Sequence, residues 1–255
     1  MAQPPRFTTR RRGAVDGSGA TPQCKKLAFK EQAIAMSPGP MSRLRRVTGC
    51  TAVVFLGALV GMAFGGASAT AKTTEILAFG DSLTSGFGLP QDHAFPARLE
   101  AKLRADGLAV HVVNSGNAGD TTAAGLARLD WALAEKPDLV ILEFGANDML
   151  RGLDPATVRA NLDAMIAKIQ ASGAKLLLTG MRASPNFGEE YQRDFDRIYP
   201  ELAQAHDVPL YPFLLDGVAL DPQFNQPDGL HPNERGVAVM VDNIAPYVAR
   251  LIGGS

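Results

Sequence analysis

The chain has 255 residues, and 46% of them are hydrophobic, which is enough apolar material for the core of one domain of ordinary size. Residues 1–69 hold 10 of the 25 lysines and arginines but only 2 of the 26 acidic residues, so residues 70–255 form an acidic body. An acidic body argues against nucleic acid as a partner, because phosphate binding needs a basic face.

The basic N-terminal part contains a segment typical of a secretory signal peptide. Residues 41–71 begin with three arginines, continue with an apolar run over about 50–64, and end in small residues such as Ala69 and Ala71. This run of roughly 15 residues is shorter than the ~20 that span a bilayer, so we expect cleavage rather than N-terminal anchoring. The protein is therefore expected to be periplasmic or secreted from a bacterium, with no stable membrane anchor after cleavage.

The residues before this segment carry no periodic pattern. Residues 1–40 are rich in Arg, Gly and Pro, and Met41 is itself a normal signal-peptide start, so we interpret 1–40 as a non-native or disordered extension. Both cysteines, Cys24 and Cys50, precede the expected mature chain, residues 72–255. That chain then has no thiol for a disulfide, a zinc–thiolate site or a cysteine nucleophile, which suits an oxidising compartment.

Short apolar runs alternate with amphipathic ones along the mature chain, without a repeat or a linker. The apolar runs predict strands at 75–80, 108–114, 138–145, 174–180 and 208–212. The amphipathic patterns predict helices at 94–105, 121–134, 155–172, 189–206 and from 232 to about 250. Apolar strands that are each followed by a helix predict a single α/β domain with a parallel sheet covered on both faces. Ligands of such sheets bind beyond the carboxyl ends of the strands.

The first strand ends in the stretch GDSLTSG, residues 80–86. Ser82 is the only serine that directly follows a strongly apolar strand, which makes it a candidate nucleophile at the ligand-binding edge. The alternative is an ordinary strand-to-helix turn in which Asp81 or Ser82 caps the next helix.

The stretch DGLHP before the last helix offers a base for such a serine. Asp228 precedes His231 by three residues, and a carboxylate at that spacing can fix the tautomer of the imidazole. The other three histidines lie in a strand pattern, near a helix end, or, for His93, in a loop with only Asp92 beside it. Two alternatives stay open for Asp228 and His231: caps of the last helix, or a metal pair that no further ligand cluster completes.

Two other strand ends offer donors for a developing oxyanion. Asn147 follows the third strand and can donate a side-chain N–H, and Gly119 follows the second strand and exposes its backbone N–H. Each loop alone is compatible with ordinary turn chemistry. Their occurrence on successive strand ends favours one shared site.

Together these residues resemble the SGNH or GDSL hydrolase superfamily. The matching stretches occur in the family's order and are GDSLTSGFG (80–88), NAGDTT (117–122), FGANDML (144–150) and DGLHP (228–232). The similarity covers nearly all of residues 74–250, and its spacing resembles the thioesterase I, lysophospholipase L1 and bacterial arylesterase branch. The G-x-S-x-G elbow of ordinary α/β-hydrolases is absent, because position 84 is Thr.

The resemblance implies a role for each of five residues. Ser82 is then the nucleophile, His231 the general base and later acid, and Asp228 the carboxylate that orients it. The backbone N–H groups of Ser82 and Gly119 and the side chain of Asn147 then form the oxyanion hole. The implied fold is a three-layer α/β/α flavodoxin-like sandwich with a five-stranded parallel sheet in the order 2-1-3-4-5.

The implied activity is hydrolysis of small carboxylic esters or thioesters through an acyl-serine intermediate, of the arylesterase, acyl thioesterase or lysophospholipase type. The resemblance implies a monomer that needs no cofactor and no metal. Met149, Leu150, Leu153 and Phe187 are expected to line the acyl pocket, although edge packing explains them equally well. The alternatives are a non-catalytic flavodoxin-like module that binds a phosphate or flavin, which leaves DGLH unexplained, and a membrane-tethered structural protein.

Overall fold

A parallel sheet of five strands runs through the part of the chain that the computed structural model describes, residues 72–253. The strands are β1 (Thr74–Gly80), β2 (Val110–Gly116), β3 (Leu139–Leu142), β4 (Lys175–Thr179) and β5 (Leu210–Tyr211). Their order across the sheet is β2-β1-β3-β4-β5, and every neighbouring pair is parallel. The predicted α/β fold and its strand order are confirmed. The predicted extension, 1–40, and signal peptide, 41–71, lie outside the described residues.

Helices cover both faces of this sheet. They are α1 (Ser82–Ser85), α2 (Phe95–Ala105), α3 (Thr122–Leu133), α4 (Ala146–Leu150), α5 (Pro155–Ala171), α6 (Glu189–Asp196), α7 (Ile198–His206) and α8 (Glu234–Gly253). Helix α2 contacts α8, whereas α3 contacts α5, which in turn contacts α7. The chain reverses its direction across the sheet after β2, so right-handed crossovers place these two groups of helices on opposite faces.

Strands β1 and β3 hold the backbone that leads into Ser82. Strand β3 is buried along its whole length, and β1 is buried from Ile76 to Gly80. Strand β1 pairs with β2 on one side and β3 on the other, with Gly80 opposite Gly116 and Phe79 opposite Leu142. The backbone that leads into Ser82 is therefore hydrogen-bonded from both sides up to its last residues.

Two predicted elements are wrong in their extent. The helix expected over 189–206 is broken at Arg197 into α6 and α7. Pro200 explains the break, because it has no N–H for the carbonyl four residues earlier and its ring clashes with that carbonyl. The third strand ends at Leu142 rather than 145, and Gly145 then turns the chain into α4 with a φ of +118°.

Helix α8 is long and apolar enough, by length and composition alone, to cross a membrane. Its apolar face instead belongs to the core of the sandwich, where five large side chains of α8 are buried: Val237, Met240, Val241, Ile244 and Val248. The helix thus holds the end of the DGLHP loop against the domain. This attachment positions His231, which lies three residues before the helix begins.

Candidate active site

The turn after β1 presents the Ser82 side chain. Asp81 caps α1 by accepting a hydrogen bond of 3.0 Å from the N–H of Leu83, and Ser82 is the first residue of the helix. Gly80 is required here, because a Cβ at this position would clash with the side chains of Thr84 and Glu143. The capping role expected as an alternative therefore falls to Asp81, which leaves the Ser82 hydroxyl available to another partner.

That partner is His231. Its Nε2 lies 2.9 Å from Ser82 Oγ, and its Nδ1 lies 2.6 Å from Asp228 Oδ2. A carboxylate at Nδ1 favours the tautomer with its proton there, so that Nε2 can accept the hydroxyl proton. The sequence placed these three residues in two loops, and the structure brings them into one hydrogen-bonded chain.

The Asp228 carboxylate is held by its own turn. Its Oδ1 accepts hydrogen bonds from the backbone N–H groups of His231, at 3.0 Å, and Leu230, at 2.9 Å. The bond from the His231 N–H is the main cause that lowers the pKa of Asp228 to about 2. Asp228 is consequently ionised at neutral pH and can stabilise positive charge on the imidazole.

The other three histidines also have carboxylate neighbours, but none of them contacts a serine hydroxyl of the described part of the chain. The shortest of these contacts are His206 to Asp163 at 2.7 Å, His111 to Glu100 at 3.0 Å and His93 to Glu234 at 3.0 Å. The expectation that His93 has only Asp92 beside it is wrong, because Glu234 also contacts His93. Glu234 lies closer, at 3.0 Å, than Asp92, at 3.7 Å. Within residues 72–253, no three His, Cys, Asp or Glu side chains group as metal ligands would.

Gly119 lies in the turn between β2 and α3. Its φ is +88°, and a Cβ built on it would meet nothing closer than Arg151 Nη2, at 4.0 Å. The space beside the α-carbon of Gly119 is therefore open. Arg151 also donates a hydrogen bond of 2.8 Å to the Gly119 carbonyl, which fixes the loop from outside.

The side-chain amide of Asn147, which the sequence predicts as an oxyanion donor, is engaged within the protein. Its Nδ2 donates to Asp81 Oδ2 at 2.9 Å and to the Asp120 carbonyl at 3.0 Å. An amide nitrogen carries two hydrogens, so both are used within the protein. Asn147 can serve an oxyanion only by sharing or exchanging one of these two bonds.

Residues 78–239 match the model of the GDSL-like Lipase/Acylhydrolase family. The chain belongs to this family. It is 41% identical over 184 residues to an arylesterase of Vibrio mimicus, which covers 72% of this chain and 92% of that protein. It is 37% identical over 183 residues to the thioesterase 1/protease 1/lysophospholipase L1 of Escherichia coli (strain K12), covering 71% of this chain and 86% of that one.

A solved structure agrees with these relatives. The chain superposes on AlinE4, an SGNH-hydrolase family esterase, with a TM-score of 0.60 and 46% identity over 71% of this chain and 97% of AlinE4. The protein is thus a GDSL serine esterase, a carboxylic ester hydrolase that acts on small molecules. The non-catalytic phosphate- or flavin-binding alternative is not favoured.

In this GDSL hydrolase, three side chains in and just after helix α4 hold the loop that contains Gly119. Asp148 accepts hydrogen bonds from the N–H of Thr122, at 2.9 Å, and from its hydroxyl, at 2.7 Å. Together with Asn147 and Arg151, it ties the end of β2 to the end of β3. The sequence indicates these contacts only through the three polar residues of NDMLR, residues 147–151. Their side-chain partners cannot be predicted from the sequence.

A buried carboxyl pair lies directly behind Ser82. Glu143 Oε2 accepts hydrogen bonds from the Asp81 N–H, at 3.0 Å, and from the Thr84 hydroxyl, at 2.8 Å. Its Oε1 is buried and has no partner among the described residues. Burial, and then the charge of Asp81, raise the pKa of Glu143 well above its usual range. Burial also raises the pKa of Asp81, to about 6.

Sequence reasoning missed Glu143, although its signal is visible. A charged residue at the end of the otherwise apolar run LVILEF needs a buried hydrogen-bonding partner. The partners are the cap residue Asp81 and Thr84 of α1, more than 50 residues earlier in the chain, so the pattern alone does not identify them.

The four residues expected to line the acyl pocket differ in exposure. Met149 packs in the core, whereas Leu150 and Leu153 are exposed. Phe187 is partly buried, with its ring 5.3 Å from that of Tyr191, whose hydroxyl donates to the Leu153 carbonyl at 2.9 Å. Phe187 and Leu153 thus share a neighbour beside α4, while the Met149 side chain takes part in core packing.

Proposed function

We propose that Ser82 Oγ attacks the carbonyl carbon of an ester or thioester while its proton passes to His231 Nε2. The resulting tetrahedral oxyanion collapses and breaks the bond to the leaving oxygen or sulfur, which takes the proton from His231. Water then attacks the acyl-serine by the same route, and His231 returns a proton to Ser82. The continuous hydrogen-bonded chain from Ser82 through His231 to Asp228 carries this proposal.

The oxyanion is assigned to three donors. Ser82 begins α1, so its backbone N–H has no acceptor within the helix, and Gly119 lies in a turn with open space beside its α-carbon. Asn147 Nδ2 is the third donor and contributes by exchanging its bond to the Asp120 carbonyl for one to the oxyanion. This exchange keeps the bond to Asp81, which holds the amide in place.

The substrates we propose are carboxylic esters and acyl thioesters with an apolar acyl group, and lysophospholipids as a third class. Relatives named arylesterase and thioesterase 1/protease 1/lysophospholipase L1 support this range. Exposed Leu150 and Leu153 and partly buried Phe187 offer apolar surface beside α4, which favours an apolar acyl chain over a sugar.

We further propose that the enzyme works as a monomer in the periplasm or outside the cell, after removal of residues 41–71. The order of basic, apolar and small residues in that segment supports export. Expression with the natural leader, followed by intact-mass measurement, tests this. We expect an N-terminus at Thr70 or Lys72 on protein outside the cytoplasm, and retained residues 41–69 on a membrane-bound form would contradict it.

A direct assay tests the activity and the substrate class together. The mature chain is given p-nitrophenyl esters of increasing acyl length, an acyl-CoA and a lysophospholipid, with Ser82→Ala as the matched control. We expect hydrolysis of the esters by the parent and a loss of several orders of magnitude in Ser82→Ala. Equal hydrolysis by both proteins would exclude the proposed nucleophile.

A further inference from the structure

One exposed aromatic ring lies against the catalytic imidazole and has no part in the chemistry above. The Phe87 and His231 ring centroids are 4.6 Å apart, with an angle of 40° between the rings. Phe87 is 50% exposed, so a large part of its surface borders solvent at the mouth of the site. Phe87 therefore offers apolar surface next to His231 that an apolar part of a substrate can cover during the reaction.

The backbone holds this ring in place. The Phe87 N–H donates to the Ser82 carbonyl at 3.1 Å, and the Phe87 carbonyl accepts from Gln226 Nε2 at 2.7 Å. Gly86 and Gly88, on either side, have φ values of +75° and +78°, which other residues rarely adopt. The conformation at position 87 is thus set by the turn and not by the ring's own contacts.

Gln226 joins this turn to the loop that carries the base. Its N–H donates to the His231 carbonyl at 2.7 Å, and its Nε2 also donates to the Pro232 carbonyl at 3.0 Å. The Phe87 turn and the His231 loop therefore share one anchoring side chain. We expect the ring to keep its position relative to the imidazole through the reaction.

The chemistry decides which part of a substrate meets Phe87. The leaving oxygen takes its proton from His231 Nε2, so it must come within hydrogen-bond reach of that atom. The carbonyl oxygen points instead toward Gly119 and Asn147, on the β2 and β3 side of Ser82. The group attached to the leaving oxygen consequently departs past the imidazole, where the exposed face of Phe87 lies.

We propose that Phe87 is a specificity-determining residue on which a planar aromatic leaving group stacks as it departs with the His231 proton. This proposal rests on the proposed function and names the substrate class that the leaving-group side favours, the esters of phenols. Stacking of two aromatic rings is more favourable in free energy than burial of the same area alone. If this extra stabilisation is present in the transition state, it corresponds to a rate factor of about 3 to 10.

The test compares two acetates that form the same acetyl-enzyme, phenyl acetate and cyclohexyl acetate. Phe87→Leu removes the ring but keeps apolar bulk, and Phe87→Tyr keeps the ring. Trp131→Leu is the matched control, because Trp131 is an exposed aromatic residue on α3, away from the site. Active-site titration with a phosphonate and circular dichroism correct each rate for the folded, competent fraction.

We expect Phe87→Leu to lower kcat/KM for phenyl acetate about 3- to 10-fold and for cyclohexyl acetate less than twofold. Phe87→Tyr and Trp131→Leu should leave both values near the parent's. Equal losses on the two acetates would mean that the ring only positions His231, and an unchanged rate on both would remove it from the reaction; either result overturns the proposal. If the parent hydrolyses neither acetate, the result would instead contradict the proposed function, on which this proposal rests.

Discussion

Asn147 donates a hydrogen bond of 2.9 Å to Asp81, so the carboxylate that caps α1 also holds the Asn147 amide. The helix that begins at the proposed nucleophile and the proposed oxyanion donor thus share one buried carboxylate. We therefore expect a substitution of Asn147 to lower both kcat and the free energy of unfolding.

Asn147→Ala removes one oxyanion donor. We expect a loss of about 100- to 1000-fold in kcat, which corresponds to roughly 2.7–4 kcal/mol of transition-state stabilisation. The variant also leaves buried Asp81 Oδ2 without this donor, so the free energy of unfolding should fall by about 1–3 kcal/mol. Steady-state kinetics and urea denaturation measure the two effects. A folded variant with less than a threefold drop in kcat would contradict the assigned role.

Arg151→Met removes the outer support of the Gly119 loop while keeping an unbranched apolar stem. The lost hydrogen bond to the Gly119 carbonyl is worth about 1 kcal/mol, so we expect kcat/KM to fall about fivefold. The unfolding free energy should fall by no more than about 1 kcal/mol, since only this one exposed hydrogen bond is lost. Arg159→Met, which loses an exposed pair with Glu201, is the control. Similar kinetics for the two variants would show that Arg151 does not position the loop.

Glu143→Gln tests the buried carboxyl pair through the pH dependence of stability. Because the pKa of Glu143 is raised in the fold, the unfolded chain loses this proton first as pH rises. The parent's stability from this group is therefore greatest below the unfolded-state pKa of about 4.3 and declines toward the raised value. The glutamine does not titrate, while Asp81 remains ionisable in both proteins.

The free energy of unfolding of Glu143→Gln should therefore rise relative to that of the parent as pH is raised from about 4.5 to 8. Urea denaturation midpoints at three pH values measure it, and Glu190→Gln, an exposed change on α6, is the control. Parallel curves for the parent and Glu143→Gln would mean that Glu143 is not neutral in the fold.

The sequence pattern predicted the parts of this structure that depend on local order. The apolar run before Ser82 and the alternation of strands and helices were sufficient to predict the sheet and to place Ser82, Gly119 and Asn147 at its edge. These inferences hold because parallel strands must be buried on both faces and because their carboxyl ends share one edge.

Side-chain contacts between distant segments were not predictable in the same way. The partners of Glu143, the Glu234 contact of His93 and the engagement of both Asn147 hydrogens depend on which side chains meet after folding. The sequence does not indicate that the Phe87 ring, between two glycines, lies against His231. The break between α6 and α7 could have been predicted from Pro200. The amphipathic pattern continues across the break and so predicted a single helix.

The central claim is that Ser82 is the nucleophile and that His231 activates it. Neither group works without the other, so Ser82→Ala, His231→Ala and the double variant should show nearly the same residual kcat, whereas independent contributions would multiply. The most direct single measurement is intact mass after treatment with a serine-directed phosphonate. We predict one added equivalent on the parent and none on folded Ser82→Ala; one equivalent still added to Ser82→Ala would contradict the account.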